Sequence, residues 1–155
     1  MYWCALKILE DFTCKFFRTV NWEISEEKIL QKCPYCGSNS KLVDSKLIYG
    51  ISYGMAYVCE KYPACDAYVG THKGTIWPRG TLANKELRNY RKKAHLLFDS
   101  IWEAAGISRT QAYKWLAKKL DIPVESAHIG YFDLSMCQKV INICMKKELD
   151  FDTGK

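Results

Sequence analysis

Two closely spaced cysteine pairs constrain this chain more than any other feature. Cys33-Pro34-Tyr35-Cys36-Gly37 is followed by Cys59-Glu60-Lys61-Tyr62-Pro63-Ala64-Cys65, with 22 residues between Cys36 and Cys59. Each turn offers two thiolates, and four sulfurs at about 2.3 Å satisfy a tetrahedral zinc ion. The segment between the pairs reads as a hairpin. Lys41 to Tyr49 is the outgoing strand, Gly50 to Gly54 the turn, and Met55 to Cys59 the return. A hairpin of this kind brings both pairs to one point. Pro34 and Gly37 suit a tight turn that aims backbone N–H groups at sulfur. The spacing therefore predicts one structural Zn²⁺ held by Cys33, Cys36, Cys59 and Cys65. Four thiolates leave no open coordination position, so the site stabilises the fold rather than catalyses. The competing readings are four unrelated buried cysteines and an iron–sulfur cluster, whose usual spacings differ.

The other four cysteines read as packing residues. Cys137 and Cys144 lie two turns apart on one face of an expected helix, about 10 Å along its axis, too far for one disulfide or one metal. Cys4 and Cys14 take the same reading. The segment Met1 to Lys7 has no basic lead, apolar core and cleavage site of a secretory signal. The longest uncharged run, Leu47 to Cys59, is too short to span a bilayer. The expected compartment is the bacterial host cytosol, with no membrane partner and reduced thiols.

Downstream of the cysteines the hydrophobic period changes. Residues 73–83 form an extended loop punctuated by Gly74, Pro78 and Gly80. Leu87, Tyr90, Ala94, Leu97, Phe98, Ile101 and Ala105 recur at helical spacing, which predicts a helix from about Asn84 to Ala105, stopped by Gly106. Ser108 and Gln111 form a capping box for a second helix to about Leu120. Asp133 or Ser135 caps a third, with Cys137, Val140, Ile141 and Cys144 inward. Trp102 and Trp115 are expected in the helical core. Upstream, Lys15 to Trp22 reads as a strand and Ser25 to Gln31 as a short helix. The expected architecture is α+β: a segment of uncertain structure over 1–32, a Cys4 zinc ribbon over 33–72, a loop over 73–83, and a three-helix region over 84–155.

The ribbon residues Cys33-Pro34-Tyr35-Cys36-Gly37 and Cys59-Glu60-Lys61-Tyr62-Pro63-Ala64-Cys65 resemble the C-terminal zinc ribbons of bacterial type IA topoisomerases, over about 40 residues. That resemblance implies binding of single-stranded DNA through aromatic and basic side chains. Nothing in the chain resembles a topoisomerase catalytic domain. The longer stretch from Cys33 to Cys144 resembles a phage and prophage family with a zinc-finger-containing domain of unknown function. Its carriers are the ribbon, Asp66-Ala67-Tyr68-Val69-Gly70, His72-Lys73-Gly74-Thr75, Gly80-Thr81-Leu82-Ala83-Asn84 and His128-Ile129-Gly130. The resemblance implies a phage or mobile-element origin and no particular activity.

Charge points to the partner. The chain carries a formal +6, and residues 84–120 alone carry nine basic and three acidic side chains. Lys85, Arg88, Lys92 and His95 fall at three- and four-residue steps and are expected as a solvent-exposed stripe, flanked by Arg91 and Lys93. Lys73, Trp77 and Arg79 mix basic and aromatic groups on the loop, while Tyr35, Tyr53, Tyr57 and Tyr62 decorate the ribbon. Cations attract phosphates and aromatic rings stack on unpaired bases. The expected partner is nucleic acid, single-stranded DNA or RNA, contacted by Tyr62, Lys73, Trp77, Arg79, Lys85, Arg88 and Lys92. The alternative is a protein-binding inhibitor of a host enzyme or defence complex, docking through the same charge. A nuclease-type enzyme built on His72 is the third reading, but no acidic cluster for a catalytic magnesium and no Gly-rich phosphate loop, HExxH or GxSxG pattern accompanies that histidine, and no small-molecule substrate is expected.

Overall fold

The computed structural model describes residues 31–146 of the 155-residue chain. The strand expected over 15–22, the helix expected from Ser25, and Cys4 and Cys14 lie outside the described residues. Within them, three antiparallel strands come first: β1 (Ser40–Asp44), β2 (Met55–Cys59) and β3 (Tyr68–Gly70), ordered β1-β2-β3. Leu42 stands opposite Tyr57 and Tyr57 opposite Val69. Because side chains alternate across a strand, these three share one face, and they cluster with Cys33, Cys59, Ala67 and Leu82. Lys41, Val58 and Tyr68 are the next register row and share the opposite face.

The outgoing strand is shorter than its sequence predicts. It ends at Asp44, and Lys46–Tyr49 forms a single helical turn, α1. The cause is local. Asp44 Oδ1 accepts from the Lys46 amide at 2.7 Å, an Asx-type turn that competes with the ladder. Buried Ser45 then secures the hairpin tip. Its amide donates to the Gly54 carbonyl and its hydroxyl accepts from the Tyr53 amide at 2.8 Å. The hairpin is thus part of a three-stranded sheet and carries a helical turn at its tip.

The 71–83 segment is also more ordered than an extended loop. It folds back on β3, with Thr71 bridged to Pro78 and Tyr68 bridged to Ala83. The Arg79 amide donates to the Gly70 carbonyl, and the His72 amide to that of Trp77.

Three helices follow, as the periodicity predicts: α2 (Lys85–Ala104), α3 (Arg109–Leu120) and α4 (Leu134–Met145). Asn84 caps α2 by accepting from the Leu87 amide. Ser108 and Gln111 make the capping box of α3, and Asp133 caps α4 through the Met136 amide. Helix α2 packs most extensively on α4. Leu87, Ala94, Phe98 and Ile101 meet Ala112, Trp115, Leu116, Cys137, Val140, Ile141 and Cys144 in one core. Phe98 is fully buried, worth about 2–3 kcal/mol relative to exposure. Trp115 is buried as expected. Trp102 is not: it lies at the core margin, half-buried, and its indole N–H donates to Asp99 Oδ1 at 3.0 Å. Ala105 caps the C-terminus of α2 and is exposed, because Gly106, at φ +65°, turns the chain away there.

Arg91 corrects a second expectation. It occupies the buried face of α2, one helical step from Leu87 and Ala94. Its guanidinium donates to the carbonyls of Phe132 and Thr81 and to the Thr81 hydroxyl, at 2.8–2.9 Å. A planar fork with fixed donors can satisfy three acceptors on two separate segments. It joins the end of the 71–83 loop to the start of α4. The backbones of Gly80 and Gly130 touch at the same junction, so closely that a Cβ on either would collide with backbone oxygen. The Gly80–Asn84 and His128–Gly130 segments, distant in sequence, therefore meet in space.

Candidate metal centre and its cationic surroundings

The two cysteine turns converge beneath the sheet. Cys33 and Cys36 enter from the turn before β1, Cys59 from the end of β2, and Cys65 from the turn before β3. All four Sγ atoms lie within 4.8 Å of one another. Cys33 Sγ is 3.5 Å from Cys65 Sγ, and Cys36 Sγ is 3.3 Å from Cys59 Sγ. A tetrahedron with 2.3 Å metal–sulfur bonds has edges of about 3.8 Å, which this cluster brackets. Cys33 and Cys59 are buried, and Cys36 and Cys65 are half-buried.

Backbone geometry prepares the sulfurs for negative charge. The amides of Ser38, Lys61 and Ala67 donate to the sulfurs of Cys36, Cys59 and Cys65, in each case from two residues ahead. The turns are closed by Gly37 N–H to Cys33 O, Tyr62 N–H to Cys59 O and Cys65 N–H to Lys61 O. At Cys36 the amide and hydroxyl of Ser38 bring the thiol down to about 6. Burial wins at Cys59, pushed up to about 12, and it also raises Cys65. Four sulfurs this close cannot all ionise without a cation between them. The donor set fits a metal ion, and an all-sulfur tetrahedral set suits zinc. When bound, the metal supplies a cross-link between the two turns.

The model of a family described as a zinc-finger-containing domain matches residues 29–147. The chain belongs to this family. No curated protein and no solved structure matches the chain. In this zinc-finger-containing domain, the match extends beyond the ribbon through all three helices.

The cationic residues expected to contact nucleic acid fall into two groups. Lys73, Arg79, Lys85 and Lys92 are exposed, as is Lys93. Arg88 departs from the expected free stripe. Its Nη2 meets Asp66 Oδ2 at 3.0 Å, and its Nη1 donates to the carbonyls of Asp66 and Ala83 at 2.6 Å. Its guanidinium also lies 3.7 Å over the centroid of the Tyr68 ring. Arg88 fastens α2 to the ribbon. Asp66 adds a second tie by accepting from the Lys85 amide at the positive end of the helix. The exposed residues of the first three turns of α2 are instead Lys85, Glu86, Asn89, Lys92, Lys93 and Leu96.

The aromatic expectations also divide. Tyr57 is buried in the ribbon core, and Trp77 and Tyr62 are half-buried, with Trp77 packed against that core. Tyr35 and Tyr53 are exposed. His72 lines a cleft of about 380 Å³ between the hairpin tip and the 72–76 loop. Burial and the nearby Arg79 hold His72 below the usual imidazole range. No carboxylate lines that cleft with it. Among the described residues, no helix is long and apolar enough to cross a membrane.

Sequence reading missed the ties made by Arg88 and Arg91 and a row of tyrosines, Tyr49, Tyr53 and Tyr68, whose rings meet edge to face. For Arg91 a signal exists. It falls in the 87-91-94-98-101 progression of buried positions, so a charge there marks an internal tie. Tyr49 and Tyr68 are brought together only by the α1 turn, which the alternating pattern does not reveal.

Proposed function

We propose that this protein binds nucleic acid, single strands in preference to duplex, without catalysing a reaction. Its Cys4 site holds one zinc ion as a structural clamp. One observation supports this reading above the others. Lys73, Arg79, Lys85, Lys92 and Lys93 are exposed and have no acidic partner within salt-bridge distance among the described residues. Like charges left unpaired repel one another, and phosphates relieve that repulsion while releasing counterions. Tyr62 and Trp77 are half-buried rather than fully buried, and serve as the base-stacking candidates. Arg88 serves the fold and drops out of the contact set. The origin in a phage or other mobile element rests on the resemblance of the ribbon and of the Gly80–Asn84 and His128–Gly130 segments.

The test is purification with and without nuclease. The reading expects excess absorbance at 260 nm that 1 M salt or nuclease removes. A host protein that stays bound after nuclease, with no nucleic acid in the untreated sample, would support the inhibitor reading instead.

A further inference from the structure

We infer that the tip of the zinc ribbon is a nucleotide subsite, in which one unpaired base stacks on Tyr53 and its phosphate meets Lys73. The inference rests on the nucleic-acid reading above and deepens it.

Tyr53 is the most exposed large hydrophobic residue among those described, at 76%. A ring in that position gains nothing from burial, and a mobile turn would be its ordinary setting. Here the turn is fixed. Ser45, itself 4% exposed, accepts from the Tyr53 amide, and its own amide holds the Gly54 carbonyl. The Ser52 hydroxyl is tied to Asp44 Oδ2 at 2.8 Å. Tyr49 props the Tyr53 ring edge to face, at 5.8 Å between centroids and 79° between planes. Tyr49 is in turn fixed by Tyr68, 6.0 Å away, through a hydroxyl–hydroxyl bond of 3.2 Å. Tyr68 carries the Arg88 guanidinium on its ring. A chain of contacts therefore runs from the helix junction to an exposed ring and holds it in place. Such a ring loses little entropy when it stacks on a ligand.

Tyr53 also lines the cleft of about 380 Å³ together with Met55, Thr71, His72, Lys73 and Ile76. Its volume lies in the range of small-ligand clefts. Its walls are mixed apolar and hydroxyl-bearing, and its cation, Lys73, is exposed at the rim. The nearest acid of the tip, Asp44, is committed to Ser52 and to the Lys46 amide. A flat apolar ring beside an unopposed cation complements a base with its phosphate. A neutral apolar ligand would leave Lys73 unused, and an acidic side chain would leave the ring unused.

The experiment uses the full-length zinc-loaded protein, a fluorescein-labelled single-stranded 12-mer and the matching duplex, read by anisotropy at several salt concentrations. Tyr53→Ala should weaken single-strand binding roughly ten-fold, the loss of about one base stack, with the salt slope unchanged. Tyr53→Phe should bind like the wild type. Lys73→Ala should lower the single-strand slope by about 0.7. Duplex binding should respond to Lys73→Ala but not to Tyr53→Ala. Tyr53 is exposed, so the thermal midpoint of Tyr53→Ala should match the wild type. Wild-type binding that neither substitution changes would overturn the subsite and leave the nucleic-acid reading standing. A wild type that binds neither probe at low salt would overturn both.

Discussion

Arg88 Nη2 and Asp66 Oδ2 meet at 3.0 Å, and through this pair the cysteine-bearing sheet and the first long helix are held as neighbours. The pair is partly exposed, so its Coulombic worth alone is modest. The carbonyls of Asp66 and Ala83 and the Tyr68 ring add hydrogen bonds and a cation–π contact to the same guanidinium. Arg88→Ala should therefore cost about 1–3 kcal/mol and lower Tm by several degrees. Thermal unfolding by circular dichroism measures this. An unchanged Tm with weakened oligonucleotide binding would return Arg88 to the contact surface.

Gly80→Ala tests the junction between the loop and the helical core. The added Cβ would collide with the Gly130 carbonyl, which is backbone and cannot rotate aside. Backbone displacement of this kind costs about 1–3 kcal/mol. Gly37→Ala is a useful contrast, since its Cβ meets nothing within 4 Å and the strain is only that of φ +71°. Urea denaturation should show the Gly80 variant losing more stability than the Gly37 variant. The reverse order would contradict the packing described.

His128 predicts an acid-sensitive helical region. Its Nδ1 accepts from the Gly130 amide at 3.2 Å, and its ring stacks on Tyr113. Burial, with the charges of His95, Arg109 and His72, pushes it down to about 4. Below its ordinary value of 6.5, the unfolded chain takes up a proton that the folded chain refuses. Stability should therefore fall as pH drops from 6.5 towards 4, and this contribution should level off below that. His95 and His72 are lowered as well and act in the same direction. His128→Asn keeps an acceptor but cannot titrate. Denaturation curves at about pH 7 and pH 5.5 should show a smaller loss for this variant than for the wild type; an equal loss would assign the effect elsewhere.

Metal content separates the two kinds of cysteine. Elemental analysis should give one zinc per chain, lost in Cys59→Ser and retained in Cys144→Ser. Cys144 is buried in the helical core with its thiol pushed up to about 11, away from the cluster. A Cys59→Ser protein that still holds one zinc would exclude the four-cysteine site.

What the sequence reveals and what it hides divide along physical lines. Paired cysteine spacing, the Ser108–Gln111 capping box and the 3.6-residue period depend on residues near one another in the chain, and the cluster, the cap of α3 and the three helices follow from them. The tight approach of Gly80 to Gly130 and the grip of Arg88 on Asp66 join residues 50 and 22 positions apart. No local pattern encodes those meetings. The free stripe through Arg88 fails for the same reason: periodicity assigns a helix face but not what the ribbon lays against it. The end of β1 is legible in principle, because Asp44-Ser45 is a turn-forming pair, but the apolar run beyond it reads as more strand.

The most direct measurement of the central claim is the salt dependence of single-strand binding, for the wild type and for a Lys92→Glu, Lys93→Glu double variant. Both lysines are exposed on α2 and neither is tied to the fold by an ion pair, so the variant should melt like the wild type. The account predicts that log affinity of the wild type falls linearly with log salt, and that the variant binds more weakly to every sequence tested. Its slope should be shallower by about 0.7 for each phosphate that no longer meets a lysine. Equal affinities and equal slopes for the two proteins, or no wild-type binding at low salt, would contradict it.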